Sequence, residues 1–238
     1  MDAFNQLARP PIRFRAAWHA LGSQLRHPTG VLGHLLGLVM NRLNAHPNRV
    51  AVEALAPRPG DTVLELGCGP GHALALAVKA VGPAGTVHGI DQSAVMLQQA
   101  AKLNRQSRQQ GQLHLHLGRF DTLPLPAGAV DGMLAVNVAY FWQNAADVLR
   151  EARRVLRPGG RLVVYVTDAA TMQRWPFAGT GTHRLFTPLD LRAMLLAGGF
   201  PGAGISIRSV RLGYGMTGLV AIAENQPSRP LRQVGAEL

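Results

Sequence analysis

Cysteine and long apolar runs are almost absent from this 238-residue sequence. Its single cysteine, Cys68, excludes a disulfide framework and argues against a cysteine-based metal site. No stretch reaches the roughly 18 apolar residues that a transmembrane helix needs. The best candidate, residues 31–40, is short and contains His34 and two glycines. These absences predict a cytoplasmic protein without a membrane span.

Lysine and acidic residues are also scarce. The chain has 13 acids against 24 basic residues, for a net charge of +11, and only Lys79 and Lys102 are lysines. Such a charge is compatible with a nucleic-acid partner. The arginines are scattered along the chain instead of forming one patch, so a generally basic surface is favoured. The nucleic-acid alternative predicts a continuous arginine band and salt-dependent binding.

Short β-branched runs alternate with helical patterns from residue 61 onwards, which is typical of a parallel sheet covered by helices. After residue 169 a Gly/Thr-rich loop precedes a helix, for which Thr187 is the predicted cap and Pro188 the first residue. The predicted strands are 62–67, 86–91, 112–118, 130–138, 161–168, 205–213 and 216–224, and the predicted helices are 71–82, 93–111, 145–156 and 187–200.

A glycine loop follows the first predicted strand, in the segment VLELGCGPGHAL at 63–74. Its glycines form G-x-G-x-G, whereas the nicotinamide fingerprint G-x-G-x-x-G would need a glycine in place of His72. That difference counts against NAD. Asp91, at the end of the second strand, is placed to accept the two hydroxyls of a ribose. The two features predict a nucleoside cofactor without saying which one.

Two later segments turn this pattern into a family resemblance. They are GRFDTLPLPAGAVDGMLAVN at 118–137 and LREARRVLRPGGRLVV at 149–164. With the glycine loop and Asp91, they make residues 48–224 resemble the class I S-adenosylmethionine (SAM)-dependent methyltransferases. The resemblance implies an α/β fold: a Rossmann-like, doubly wound sheet of seven strands, mostly parallel with an antiparallel last strand. It also implies an N-terminal helical cap at 1–50, a methyltransferase domain at 51–225 and a loose tail at 226–238.

The resemblance assigns a SAM site position by position, with S-adenosylhomocysteine (SAH) as the product. Glu65 and the glycine loop should hold the amino-acid end of SAM, and Asp91 should hold the ribose. Met96 would pack on the adenine or belong to the helix core. The implied cofactor-binding residues are Glu65, Gly67, Cys68, Gly69, Gly71, Asp91, Gln92, Met96, Arg119, Phe120 and Asn137.

One departure from the family pattern lies at residues 119–120. Arg119-Phe120 stands where the family usually has Asp-Ala, whose acid binds the adenine amine. Because arginine has no hydrogen-bond acceptor, the amine would need Asp121 or a backbone carbonyl, unless Arg119 stacks on the purine instead.

The methyl acceptor is expected beyond the fourth and fifth strands, under the N-terminal cap, where Asn41 and Asn44 could close over the cofactor. His183 is the first candidate for a general base and Tyr140 the second, although each also suits a structural role. The residues predicted to bind the acceptor are Tyr140, Trp142, Asp168, Trp175 and His183.

Missing motifs narrow the acceptor. Methylation of cytosine carbon needs a nucleophilic cysteine, and amino-methylation of DNA bases uses Asn/Asp-Pro-Pro-Tyr, whereas residues 137–140 contain no proline. The LPLP segment at 123–126 resembles that of small-molecule and quinone methyltransferases, so a small-molecule acceptor is predicted. His114 and His116 have no acid or cysteine partner in the sequence, so no metal is predicted.

Two alternatives stay open at this point. One is a methyltransferase directed at rRNA or tRNA, and the other is a SAM-binding protein without activity. The sequence also leaves the oligomeric state open, a homodimer included.

Overall fold

The computed structural model describes residues 43–175, 178, 183–213 and 215–225. Most of the predicted N-terminal cap, with Asn41, and the predicted loose tail lie outside the described residues. The elements are α1 (Ala45–Leu55), β1 (Thr62–Leu66), α2 (His72–Val81), β2 (Thr86–Asp91), α3 (Ala94–Leu103), α4 (Arg105–Gln109), β3 (Leu113–Leu117), β4 (Val130–Val136), α5 (Ala145–Val155), β5 (Leu156–Thr167), α6 (Ala169–Met172), α7 (Pro188–Ala197), β6 (Ile205–Gly213) and β7 (Met216–Glu224).

The seven strands form one sheet in the order β3-β2-β1-β4-β5-β7-β6. The pairs from β3 to β5 are parallel, and β7 runs antiparallel to both β5 and β6. This confirms the predicted fold class. The strand order reverses between β1 and β4, and a crevice forms at such a point beyond the carboxyl ends of the strands.

Both faces of the sheet carry apolar side chains, because the helices that connect parallel strands cover the sheet on both sides. One core lies between β1, β4 and β5 and helices α5 and α7, and the other joins the opposite face to α1 and α2. The first helix, α1, runs through residue 50 and packs on β4. Its Leu55 lies so close to Gly132 of β4 that a Cβ atom on Gly132 would be 2.9 Å from Leu55 Cδ1.

The helix predicted over 93–111 is divided at Asn104 into α3 and α4. Ser93 caps α3 as predicted, accepting a hydrogen bond from the Met96 N–H. The Asn104 amide donates to the carbonyl oxygens of Gly71 and Ala100, both at 3.0 Å. This residue therefore ties the end of α3 to the glycine loop at the point where the helix stops.

The fifth strand starts earlier than predicted, at Leu156 instead of residue 161. Leu156 pairs with Val130, and the register then shifts so that Gly132 pairs with Arg161. A Cβ atom on Gly160 would lie 3.0 Å from the Arg157 and Asp131 carbonyl oxygens, so the RPGG turn needs glycine here.

The capping signature before α7 is confirmed. The Thr187 side chain accepts from the Asp190 N–H, and the Asp190 carboxylate accepts from the Thr187 N–H, which forms a capping box with Pro188 at the first helical position. In the part of the chain that the structure describes, no helix is both long and apolar enough to cross a membrane.

Candidate functional site

A cavity of about 220 Å³ opens at the carboxyl edge of the sheet, where β1, β2 and β4 end. Every predicted cofactor-binding residue except Gly71 lines it. The lining also contains residues that the sequence analysis did not assign: Asn48, His72, Val136, Val138, Gln143, Asn144 and Val148. Most of these directly follow or precede a predicted site residue, and this nearness in the sequence could have identified them.

The three loop glycines have three different surroundings. A Cβ atom on Gly67 would lie 2.5 Å from Val138 Cγ2, and one on Gly71 would lie 2.9 Å from the Ala100 Cβ. Among the described residues, nothing lies within 4 Å of a Cβ atom placed on Gly69. Of the three glycines, Gly69 is therefore the one whose backbone a ligand can approach without displacing a described side chain. Gly71 is outside the cavity lining and its missing side chain makes room for α3, so its cofactor contact stays a prediction.

Two carboxyl groups stand on the same side of the cavity. Glu65, at 3% exposure, is buried at the end of β1, and its Oε2 has no hydrogen-bond partner within the described part of the chain. Burial and, secondarily, the Asp91 charge raise the pKa of Glu65 well above its ordinary value. The Asp91 oxygens accept from the Gly69 and Ser93 N–H groups, each at 2.8 Å.

Cys68 is buried between these groups, and burial raises the pKa of its thiol. The Cys68 backbone N–H donates to the Ile90 carbonyl at 3.1 Å, and a Cβ atom on Gly89 would lie 3.0 Å from the Cys68 Sγ. The thiol is therefore a packed apolar group. Met96 is also buried, at 1% exposure, and lines the cavity, so both of its predicted roles are compatible with its position.

Arg119 and Phe120, which stand where the family usually has Asp-Ala, both line the cavity. Arg119 makes a two-point ion pair with Asp121, including an Nε–Oδ1 contact of 2.9 Å. Phe120, between them, is buried in the same core cluster as Leu123 and Trp142. Asp121 thus lines the cavity beside Arg119. Its carboxylate is a hydrogen-bond acceptor of the kind that the adenine amine needs and that arginine does not have.

Asn137, directly after β4, has a left-handed backbone with φ +52°, uncommon for a residue other than glycine. Its amide nitrogen donates to Asn44 Oδ1 at 2.9 Å, and its Oδ1 accepts from the Tyr140 hydroxyl at 2.8 Å. Asn44 and Asn137 line the cavity from two different elements. The predicted approach of Asn44 to the cofactor side of the sheet is thus present.

Tyr140 does not have the position of a base. Its hydroxyl is buried, is not among the cavity-lining groups, and already binds Asn137 and the Thr167 N–H. Burial also raises the pKa of Tyr140, which keeps the proton on the phenol. The structure thus gives Tyr140 a structural contact with Asn137, and nothing in its position supports the predicted role as a general base.

His183 packs against the rings of Phe141 and Tyr140, with centroids 4.8 Å and 5.9 Å away. It is buried, at 8% exposure, and lies outside the described cavity lining. Burial lowers its pKa to about 4, so the imidazole is neutral near pH 7. Its first-choice role as base is not supported by this position; the histidine that does line the cavity is His72, whose pKa burial also lowers.

The other predicted acceptor-binding residues are divided. Trp142 lines the cavity with Phe141. Asp168 instead caps the short helix α6 by accepting from the Ala170 N–H at 3.0 Å, and Trp175 is 42% exposed; neither belongs to the described lining. Among the described residues no group of three histidine, cysteine or acidic side chains could hold a metal ion, although His88 joins His116 at 3.1 Å.

Comparison with known proteins agrees with this geometry. The "Methyltransferase domain" family model matches residues 64–164. The chain is 32% identical over 130 residues to the uncharacterized methyltransferase YdaC of Bacillus subtilis, a match that covers 55% of this chain and 69% of YdaC. This chain belongs to the class I SAM-dependent methyltransferases. The structure of a SAM-dependent methyltransferase from Aquifex aeolicus shares its fold, with TM-score 0.63 at 20% identity over 85% of this chain and 97% of that one.

Two further relatives match about half of this methyltransferase. An uncharacterized 37.1 kDa transposon protein of Streptomyces fradiae is 45% identical over 119 residues, which is 50% of this chain and 34% of that protein. The 2-phytyl-1,4-naphtoquinone methyltransferase of Synechococcus elongatus is 37% identical over 119 residues, 49% of this chain and 50% of that enzyme. The chain thus spans half or less of these two relatives.

The cavity fits the family's cofactor. The orphaned Glu65 oxygen suits the SAM ammonium group, since a buried carboxylate gains most from a charged donor. Asp91 suits the ribose hydroxyls, and the open space beside Gly69 suits a ligand close to the backbone.

Proposed function

We propose that this methyltransferase transfers a methyl group from SAM to a small, uncharged aromatic acceptor of the phenol or quinol type. The main support is that the charged side chains of the cavity lining are confined to one side of it. The charged carboxylates and guanidinium of the lining (Glu65, Asp91, Arg119 and Asp121) come from the β1–β3 half of the sheet. The lining residues from α1, from β4 and from the segment after it are all uncharged.

The uncharged half is also the aromatic half. It contributes Phe141 and Trp142 together with side-chain amides. Apolar rings with a few placed polar groups are typical of small-molecule sites. The naphthoquinone methyltransferase of Synechococcus elongatus supports an acceptor of this kind.

The chain's own contribution would be binding and orientation. SAM, when bound, supplies a methyl group on a positively charged sulfur that an acceptor atom can take in one displacement. Glu65 would hold the ammonium group and Asp91 the ribose, which fixes the cofactor at both ends. Holding two reactants in line lowers the barrier by several kcal/mol through orientation.

The test is a screen of acceptors with radiolabelled SAM. Hydroquinones, phenols, amines and thiols would be compared with total tRNA and rRNA, with Asp91→Ala as the inactive control. Label transfer to a hydroquinone or phenol, absent in Asp91→Ala, is expected. Transfer confined to RNA would replace this proposal with the nucleic-acid alternative. Binding of SAH without transfer to any acceptor would favour a binding protein without activity.

We also propose a cytoplasmic location. The support is that the chain has a single cysteine, which is buried as a free thiol. A chain without an internal disulfide suits a reducing compartment. Fractionation of cells that express the full chain would test it, and recovery of the protein outside the cytoplasm would contradict it.

A further inference from the structure

Four polar groups form a continuous chain from β5 to the start of α1. The backbone N–H of Thr167 donates to the Tyr140 hydroxyl oxygen, and that hydroxyl donates to Asn137 Oδ1. The Asn137 amide nitrogen then donates to Asn44 Oδ1 at 2.9 Å. Tyr140 is buried, and Asn44 and Asn137 line the cavity.

The direction of this chain follows from its first member. A backbone N–H can only donate, so the Tyr140 oxygen accepts there and must direct its single proton to Asn137. Asn137 therefore presents Oδ1 to Tyr140 and its NH₂ group to Asn44, which accepts with Oδ1. One backbone N–H thereby sets the orientation of both amides, an assignment that otherwise rests on the network.

The consequence is that the two amides have donors left for a ligand. The Asn137 NH₂ group has a second hydrogen beyond the one given to Asn44, and the Asn44 NH₂ group lies on the far side of its engaged oxygen. Trp142 lines the same cavity, is 6% exposed, and carries an Nε1 donor that has no hydrogen-bond partner within the described residues. We call these three residues, Asn44, Asn137 and Trp142, the donor wall.

A buried donor that is left without an acceptor destabilises the protein, because it has lost its hydrogen bonds to water. The donor wall therefore favours a ligand that brings an acceptor atom, and its N–H groups can stabilise an oxygen in which negative charge develops. Oriented N–H groups of this kind stabilise an oxyanion without reorganisation.

We propose that the donor wall, oriented by Tyr140, binds an oxygen of the methyl acceptor and favours its deprotonated form. The acceptor class is then a hydroxylated aromatic compound that reacts through its oxyanion. This inference rests on the proposed function and narrows it. Tyr140 acts as a positioning residue, because its hydroxyl contacts Asn137 and lies outside the cavity lining.

The test uses 4-nitrophenol, whose ionised form is yellow, bound to the full chain saturated with SAH. The absorbance of the bound probe is titrated against pH. Wild type is expected to bind the phenolate at least tenfold more tightly than the phenol. Tyr140→Phe should lose most of that preference, and Asn137→Asp, which places an acceptor where a donor stood, should reverse it.

Tyr165→Phe is the matched control. Its hydroxyl is buried in the same sheet and has no hydrogen-bond partner among the described residues, so its removal should leave the phenolate preference unchanged. Thermal melting checks that each variant is folded. If Tyr140→Phe does not fold, Asn137→Asp decides alone.

Each contrary outcome is distinct. A wild type that binds no 4-nitrophenol, or binds both forms equally, overturns the inference. So does a Tyr140→Phe protein that keeps the preference but loses SAH affinity, because the donors would then serve the cofactor carboxylate. Loss of the preference in His72→Phe but not in Tyr140→Phe would assign proton removal to His72. A wild type that fails to bind SAH refutes the proposed function itself.

Discussion

Gly67 lies directly against the side chain of Val138, so closely that a Cβ atom on Gly67 would be 2.5 Å from Val138 Cγ2. Gly67 follows β1 and Val138 follows the neighbouring strand β4, and both line the cavity. The contact joins the glycine loop to the segment that carries Asn137 and Tyr140. The glycine is therefore needed for packing between two loops as well as for its φ of +68°.

Gly67→Ala should destabilise the fold. The added methyl group overlaps Val138, and an alanine in the left-handed region is strained, so a loss of roughly 2–4 kcal/mol is expected. Urea denaturation measures this. Val138→Ala in the same background removes the closest contact, to Cγ2, but keeps the Val138 Cβ at 2.9 Å, so it should restore only part of the loss. An unchanged midpoint in Gly67→Ala would show that the loop can move away from β4.

Gly69→Ala should affect ligand binding more than the stability of the fold. No atom of the described residues lies within 4 Å of the added methyl group, so the expected cost is that of the left-handed backbone, about 1–2 kcal/mol. The methyl group would occupy ligand space, and SAH affinity should fall at least tenfold. Calorimetry with SAH on the folded variant checks this. Wild-type affinity would mean that the ligand does not approach this part of the loop.

SAH binding should release a proton. Burial raises the pKa of Glu65 in the free protein, and a cofactor ammonium group beside it would lower that pKa again. Affinity should therefore fall as the pH falls below the pKa of free Glu65, and be constant above it. Titrations in buffers of different ionisation enthalpy measure the proton count. Glu65→Gln should bind more weakly and release no proton, and a wild-type proton count in that variant would contradict the assignment.

The histidines of the β2–β3 edge should make stability sensitive to acid. Burial, followed by the charges of His116 and His114, lowers the pKa of His88 to about 4. The unfolded chain thus binds more protons between pH 6.5 and 4, and stability is lost as the pH falls through that window. A loss on the order of 1–2 kcal/mol is expected after allowing for solvent screening.

Urea denaturation at pH 7 and pH 4.5 measures that loss. His88→Gln should reduce the difference between the two pH values. Part of the difference should persist, because burial also lowers the pKa of His183. An equal difference in the variant and the wild type would remove His88 from the account.

The strands and the glycine loop could be predicted from the sequence because they depend on local patterns. Strand β2 has the predicted bounds, and the Thr187–Pro188 start of α7 is as predicted. Local chemistry also placed Asp91 correctly at the end of β2. The division at Asn104 could not be predicted, because it depends on contacts with Gly71, which lies 33 residues earlier.

The acceptor side was harder to predict for a similar reason. Tyr140, Phe141 and Trp142 are consecutive, but Ala139–Phe141 form one turn of 3₁₀ helix, so their side chains leave it in different directions. Phe141 and Trp142 line the cavity, and Tyr140 points to Thr167 instead. Sequence spacing identified the segment, but only the backbone conformation separates its residues.

Calorimetric titration of the full chain with SAH tests the central claim, that this cavity is the cofactor site, most directly. Wild type should bind one SAH per chain, and Asp91→Ala should bind at least tenfold more weakly because the ribose hydroxyls lose their acceptor. Both proteins should melt cooperatively, so that weaker binding is not caused by unfolding. A wild type that binds no SAH, or an Asp91→Ala protein that binds it as tightly as wild type, would contradict the account.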